Sequence, residues 1–279
     1  MSFFVLWFLV APCIVLYSGE SKVAHYQGCP SNCSFSLQGG RCEANGCVCA
    51  PGHGGSSCSF RSSTIFYEHR VFVDFDRSHL RPLDLSGWSP PRQTYDKFCR
   101  IARPQFIVEV GVWKGLSASH LAGYLKDQGS GVLLCVDTWL GALEFWNRRS
   151  TGGAYDPARN LHLQHGYPSV YYSFLSNMVH LGLQDYIIPF PAPSRMAATI
   201  MSDLKVLADL IHIDAAHEYD DIREDIRLWW PLVAPGGVLL GDDFNPVWPG
   251  VVRAAKEFAK ENHLKLIVHD SKWAVVKPL

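Results

Sequence analysis

One stretch, residues 208–244, constrains the fold more than any other: ADLIHIDAAHEYDDIREDIRLWWPLVAPGGVLLGDDF. Two short apolar runs in it, 210–213 and 238–240, each end in acid, the first at Asp214 and the second at Asp242 and Asp243. Runs of this length, rich in Ile, Val and Leu and bounded by turn residues, read as buried strands. Between them Ile222, Ile226, Trp229 and Trp230 recur at helical spacing, Asp221 with Glu224 forms a capping-box pattern, and Pro231 stops the helix. A strand–helix–strand unit makes its two strands parallel neighbours, so their carboxyl ends lie side by side. That edge is where open α/β sheets bind ligands. Three carboxylates meeting there repel unless something positive joins them, and a divalent cation such as Mg²⁺ is the expected partner.

The rest of the chain extends this unit. Residues 106–110, 132–136 and 186–190 read as further buried strands, and 94–102, 116–125, 170–181, 195–207 and 251–262 as helices. Residues 264–268 and 273–276 flank Asp270-Ser271 as a closing antiparallel hairpin. Alternating strands and helices give an α/β domain with a Rossmann-like, doubly wound, seven-stranded sheet over 94–279. Residues 138–168 have little periodicity and several aromatics, and read as a lid or insertion.

The nine cysteines are unevenly spread: six fall between Cys29 and Cys58. Gly and Asn fill the gaps, as in a loop-rich module too small for its own core. Clustered cysteines of this kind read as disulfides, and the CxxC pairs of structural zinc are missing. Cys99 and Cys135 read as buried thiols, with a disulfide between them as the alternative. Residues 1–19 contain FFVLWFLVAPCIVLY, of the length of a signal-peptide apolar region and short for a membrane span. It is read as a signal peptide, with an uncleaved signal anchor, hence a single-pass membrane protein, as the alternative. Either places the chain in the secretory pathway, lumenal or secreted. Residues 61–93 read as a connector: 65–76 alternates like a strand or hairpin, and SGWSPPRQ like a linker with the main boundary near Gly87. The net charge of −1 gives no argument for nucleic acid as a partner.

Chemistry concentrates at strand ends. Glu109 closes the 106–110 strand, and Gly111 and Gly115 bracket the turn into the next helix, where glycines let backbone approach a ligand. The turn is not GxGxxG, so a dinucleotide is disfavoured, and a nucleoside bearing an amino acid suits it better. Asp137 ends the next strand, placed to accept hydrogen bonds from ribose hydroxyls. Among the aromatics, Trp139, Phe145, Trp146, Tyr155 and Tyr167 could pack in the core or face a ring or a cation. His212, within a strand, reads as a satisfied core residue.

Two resemblances sharpen this. The spacing C-x3-C-x8-C-x4-C-x-C-x8-C over 27–60 resembles an epidermal-growth-factor-like (EGF-like) module, which implies pairs Cys29–Cys42, Cys33–Cys47 and Cys49–Cys58 where spacing alone leaves connectivity open. FIVEVGVWKGLSASHLA, LLCVDTW and the 208–244 stretch resemble class I S-adenosylmethionine-dependent methyltransferases, nearest to sugar and antibiotic O-methyltransferases, with catechol O-methyltransferase more distant. The resemblance implies S-adenosylmethionine as cofactor, with Glu109, Gly111 and Gly115 beneath its methionine part, Asp137 on its ribose, and Ser194 and Arg195 near its adenine. It implies Asp214, Asp242 and Asp243 as ligands of a divalent cation. Where catechol methyltransferases carry a lysine three residues past the first ligand, this chain has His217, the expected base beside Asp214.

The expectation is therefore a secretory-pathway O-methyltransferase acting on a sugar, glycan or small molecule. The rival is an adhesion protein using the fold as a scaffold, which would have no need of converging acids. A hydrolase or hydroxylase is disfavoured, because neither a nucleophile elbow nor a two-His iron site is visible.

Overall fold

The computed structural model describes residues 33, 39–43, 46–66, 71–146 and 160–279. The expected signal segment, Cys29 and Tyr155 lie outside them. Among the described residues no helix is long and apolar enough to cross a membrane.

The core is a seven-stranded sheet. Its strands are β5 (Phe106–Val110), β6 (Val132–Asp137), β7 (Ile187–Pro191), β8 (Ala208–Ile213), β9 (Val233–Gly241), β10 (Ile267–His269) and β11 (Lys272–Val276). The order is β10-β11-β9-β8-β5-β6-β7. β7, β6, β5, β8 and β9 run parallel, and β11 and β10 close the sheet antiparallel. β8 and β9 are neighbours in parallel register, as the 208–244 pattern requires. Strands buried on both faces need apolar residues at every position, and β5 is buried throughout. Two clusters of buried side chains, one around Val108, Ile211 and Trp229 and the other around Ile107, Leu121 and Phe174, pack the two faces. Strand order reverses at β5, with the following strand β6 on one side and the later β8 on the other, so the switch point that receives ligands lies at the ends of β5 and β8.

Several local expectations shift. Helix Tyr219–Trp229 is capped at Glu218 with no side-chain cap bond, so the capping box does not form. Glu224 instead holds Arg195 and Arg227, at 2.5 and 2.7 Å, while Asp220 and Asp221 meet the helix dipole in the first turn. The hairpin strand expected from residue 264 begins at Ile267, because helix Pro249–Glu261 and its C-cap at Asn262 use the preceding chain. The connector is not a strand where it is described: Ser62–Phe66 is a helical turn and 71–75 are turns and bends. Nor is 77–91 a free linker. Arg81 donates to the Ser169 carbonyl at 2.8 Å and Ser173 Oγ at 3.0 Å, and Asp84 exchanges two bonds with the Asn177 side chain.

The cysteine-rich module has its own two-stranded ladder, β1 (Gly40–Glu43) on β2 (Gly46–Cys49), and a second, β3 (His53–Gly54) on β4 (Phe60–Arg61). Cys33–Cys47 and Cys49–Cys58 are bridged as expected, with Cα–Cα distances of 5.3 and 5.1 Å. Cys42 is also disulfide-bonded. Cys99 and Cys135 are buried free thiols rather than a pair. The module docks on the amino-terminal edge of the sheet, away from the switch point. Phe60 tilts onto Phe106 at 4.6 Å, Cys49 N donates to Gln105 Oε1 at 2.8 Å, and Gly52 N and Gly131 N bond across to Gly131 O and Cys49 O. Replacing Cys33 and Cys47 together by alanine should cost about 2–3 kcal/mol in guanidinium unfolding of the oxidised protein, the scale for a loop of this length. An unchanged midpoint would show that docking, not the bridge, holds the module.

Candidate active site

At the carboxyl ends of β5, β6, β8 and β9 the chain encloses a cavity of about 640 Å³, within the usual range for a small-molecule site. Its floor is built by close backbone approach. Gly111 has φ +86°, and a Cβ there would stand 1.9 Å from the Asp214 carbonyl oxygen. Gly115, at φ +88°, caps helix Leu116–Gln128 and packs under Phe174 and Met178, just outside the lining. The first turn of that helix thus presents backbone N–H groups toward the cavity.

Asp137 lines the cavity and fixes the glycine turn. Its Oδ2 accepts from Val112 N and Trp113 N at 2.8 and 2.9 Å, and its Oδ1 accepts from Trp139 N at 2.7 Å. Each oxygen has two lone pairs, so Oδ1 keeps capacity for a ligand hydroxyl. Trp113 stacks on Phe145 at 4.6 Å and 7° to form one wall. Trp139 is core: it packs on Phe174, and its Nε1 donates to the Trp113 carbonyl at 2.8 Å. Trp146 and Tyr167 are exposed. Trp113 and Asp243, both lining the cavity, are held at positive φ, +52° and +59°. Strained backbone of this kind collects at functional sites.

The expected residues separate into those the fold gathers and those it does not. Gly111, Asp137, Ser194, Asp214, His217, Asp242 and Asp243 all line the cavity. Ser194 is already engaged, donating to Asp225 and accepting from Trp229 Nε1 at 2.9 Å. Arg195 is exposed, pairs with Glu224 and lies outside the lining. Glu109 is fully buried behind the glycine turn, and burial, before the nearby Asp214 charge, pushes its carboxyl up to about 8. Its Oε1 is 3.1 Å from His212 Nδ1.

The three aspartates do not share one centre. Ligand atoms gather as two trios, His212, Asp214 and Asp242 in one and Asp214, His217 and Asp243 in the other. Lys272 of β11, which no sequence motif singles out, enters the first trio. It is fully buried, and its Nζ donates to Asp242 Oδ2 and to His212 Nε2, the latter at 2.8 Å. It also lies 4.6 Å from the Tyr95 ring centroid. An ammonium has only protons to offer, so His212 accepts at Nε2, carries its own proton on Nδ1, and donates that to Glu109. Burial holds His212 well below the usual imidazole range, consistent with a neutral ring. Asp242 Oδ1 accepts from Ser271 Oγ at 2.8 Å and Asp243 N at 2.7 Å. Asp214 is raised by burial and then by Asp242. On the cavity side His217 Nε2 is 2.9 Å from Asp243 Oδ2, and its ring stacks on Trp248 at 4.2 Å.

One wall comes from the connector. Gly87, Trp88, Ser89 and Pro90 line the cavity. They are pinned by the buried Lys114, which donates to Asp84 at 2.6 Å and Ser86 at 2.9 Å. The Gly- and Pro-rich composition of SGWSPPR reads as linker, and its Trp88 was the signal to the contrary.

Residues 108–244 match the model of a family described as a methyltransferase domain. Together with the fold and the glycine–acid edge, this makes the stretch a methyltransferase domain. No curated protein matches the chain. Solved structures similar to it include a calicheamicin methyltransferase, 16% identical over 77% of this chain and 91% of that one, TM-score 0.50. Others are an O-methyltransferase from Bacillus cereus in complex with SAH, 18% identical over 78% and 93%, TM-score 0.45, and the O-methyltransferase NovP, 16% identical over 67% and 80%, TM-score 0.48.

Proposed function

We propose that the protein methylates a hydroxyl oxygen, on a sugar, glycan or other small molecule, in the secretory pathway. The observation that carries the reading is the His217–Asp243 pair on the wall of the cavity whose floor is the Gly111 turn and Asp137. The cofactor supplies an electrophilic methyl group on a sulfonium. The chain's part would be to hold it: backbone N–H groups in the first turn of helix Leu116–Gln128 would meet its carboxylate end, Asp137 its ribose, and the Ser194 side of the cavity its adenine. Gly115 lets the helix start close beneath, and Glu109 stiffens the turn from behind. His217 takes the acceptor proton, and Asp243 holds the ring and stabilises the imidazolium. With that proton on His217, the acceptor oxygen would be free to take the methyl group, whose carbon–sulfur bond would break to leave a neutral thioether. Alignment of the three atoms supplies most of the remaining rate.

A divalent cation on Asp214, Asp242 and Asp243 would lower the acceptor hydroxyl's proton affinity. To use all three it would have to share Asp242 Oδ2 with Lys272 or displace it. The address rests on the disulfides, which persist in oxidising compartments, and on the apolar residues 3–17 as a signal peptide or anchor. The cysteine-rich module is EGF-like in this reading, with Cys29 the partner of Cys42.

Incubating the oxidised protein with methyl-labelled cofactor and a panel of neutral glycans and small phenols, read by mass spectrometry, tests the reaction. A mass gain on a nitrogen or carbon in place of oxygen would overturn it. Asp137→Ala should weaken cofactor binding by about 1.5–3 kcal/mol in calorimetry, the scale of a hydrogen bond to a charged group. Equal affinity in the two proteins would remove Asp137 from the ribose.

A further inference from the structure

We infer that the Lys272 ammonium stands in for the divalent cation at this centre, and that the protein holds its aspartates without a metal. Lys272 sits within the sheet itself. It opens β11, a strand with neighbours on both sides, and its side chain is fully buried. A buried ammonium persists only when paired and hydrogen-bonded. Lys272 meets that condition by donating to the Asp242 carboxylate and to the His212 ring, with the Tyr95 ring beside it. His212 and Asp242 are two of the three members of the inner trio, so the ammonium takes up donor atoms an ion would need.

The other oxygen of Asp242 is also in use, which leaves one lone pair, on Oδ2. Oδ1 accepts from Ser271 Oγ and from the Asp243 backbone N–H. An ion on Asp242 would have to share Oδ2 with Lys272 or displace it, and either way that ammonium would be buried against a second cation. Two like charges a few ångströms apart inside a protein repel strongly, the more so when one is divalent. The outer trio is similarly committed, because His217 Nε2 already faces Asp243 Oδ2 at 2.9 Å. Filling it would take the base away from the acceptor proton. The same chain element therefore does two things. Lys272 offsets the carboxylate repulsion at the strand ends, and it frees His217 and Asp243 to work as a proton-accepting pair. Lys272 does not line the cavity, so its role is positioning.

The consequence for turnover rests on the methyl-transfer reading, but the metal question does not, and the test separates them. Full-length oxidised protein is titrated with Mn²⁺ and the free ion is followed by electron paramagnetic resonance. The wild type should leave the free-ion signal undiminished at micromolar Mn²⁺. Lys272→Met should take up one ion per chain, at least about tenfold more tightly than the wild type, because a positive charge has been removed beside two carboxylates. Uptake of one ion by the wild type that disappears in Asp214→Asn, the residue common to both trios, would overturn the inference. Uptake that survives Asp214→Asn lies elsewhere and agrees with it. If Lys272→Met does not fold, the wild-type and Asp214→Asn titrations still decide. In parallel, calorimetry with S-adenosylmethionine is run with and without chelator. Failure to bind the cofactor at all would defeat the functional reading while the Mn²⁺ result stands by itself. Methyl transfer should be equal in both buffers, and loss in chelator with recovery on added Mg²⁺ would overturn the inference.

Discussion

His217→Ala should lower the methyl-transfer rate by about 10²–10⁴, the usual contribution of a positioned general base. The cofactor's affinity should hardly move, because the proposed arrangement puts His217 on the acceptor side and gives the cofactor to the glycine turn and Asp137. The loss should therefore fall on kcat. Asp243→Asn should give a smaller loss in the same sense, because an amide still holds the ring but no longer stabilises the imidazolium. The two effects should not add, since the residues act as a pair at 2.9 Å. A pH series gives a second reading. The wild-type rate should fall on the acid side as the imidazole becomes protonated and unable to accept, and that limb should vanish in His217→Ala. Wild-type kcat in the alanine variant, or an unchanged acid limb, would take the histidine out of the mechanism.

The pH dependence of stability has a different origin. Burial pushes Glu109 up to about 8, above its unfolded value of 4.5. A raised folded value means the native state binds the proton more tightly than the unfolded one. That contribution is fully present below pH 4.5 and is lost as pH rises through about 8. The His212 Nδ1–H bond opposes the loss by favouring the carboxylate. Glu109→Gln should accordingly flatten the decline of thermal stability on the alkaline side. Parallel curves for the two proteins would mean that His212 and Lys272 already compensate the charge.

The sheet was legible because its strands are buried on both faces. A run such as 132–136 has no charged position to blur it, and the acids that end the runs mark the ligand edge directly. The parallel pairing of β8 with β9 followed from the helix between them. Gly111, Asp137, Asp214, His217 and Asp243 could be placed because each stands within a few residues of a strand end. What sequence order hides is contact across long separations. Lys272 meets His212 from sixty residues away, and an isolated lysine beside Trp273 reads as a solvated hairpin residue. The usable signal was that three acids were expected together with only a divalent cation to join them, while Lys272 follows the same Asp270-Ser271 turn that delivers Ser271 to Asp242. Arg195 fails for a simpler reason. It follows Ser194 in sequence, but on a helix adjacent residues point about 100° apart, and it turns out to Glu224.

Gly111→Ala should be the most damaging Gly→Ala substitution among the described residues, since no other added Cβ there comes so close to backbone. The reason is backbone against backbone. Asp214 N donates to Val110 O at 2.7 Å and Gly111 N to Val136 O at 2.9 Å, so the chain at Gly111 is fixed from both sides. The new Cβ would stand 1.9 Å from the Asp214 carbonyl oxygen and 2.5 Å from its carbon. No rotamer relieves that contact, and separating the strand ends would break the pairing that sets the cavity floor. The positive φ adds its own cost of roughly 1–2 kcal/mol for a residue with a Cβ. Overpacking of this kind costs a further 1–3 kcal/mol or so where side chains can give way, and here backbone must. A loss of about 3 kcal/mol or more is expected, together with loss of cofactor binding. Gly129→Ala separates the two terms. Gly129 also has positive φ, +72°, but a methyl group there would meet nothing within 4 Å. It should show the conformational cost alone and leave the cofactor's affinity intact. Urea unfolding and cofactor calorimetry on both variants make the comparison. Equal destabilisation at the two positions would mean that the β5 and β8 ends can part freely, and the close approach of Gly111 to Asp214 would then not be what shapes the cofactor floor.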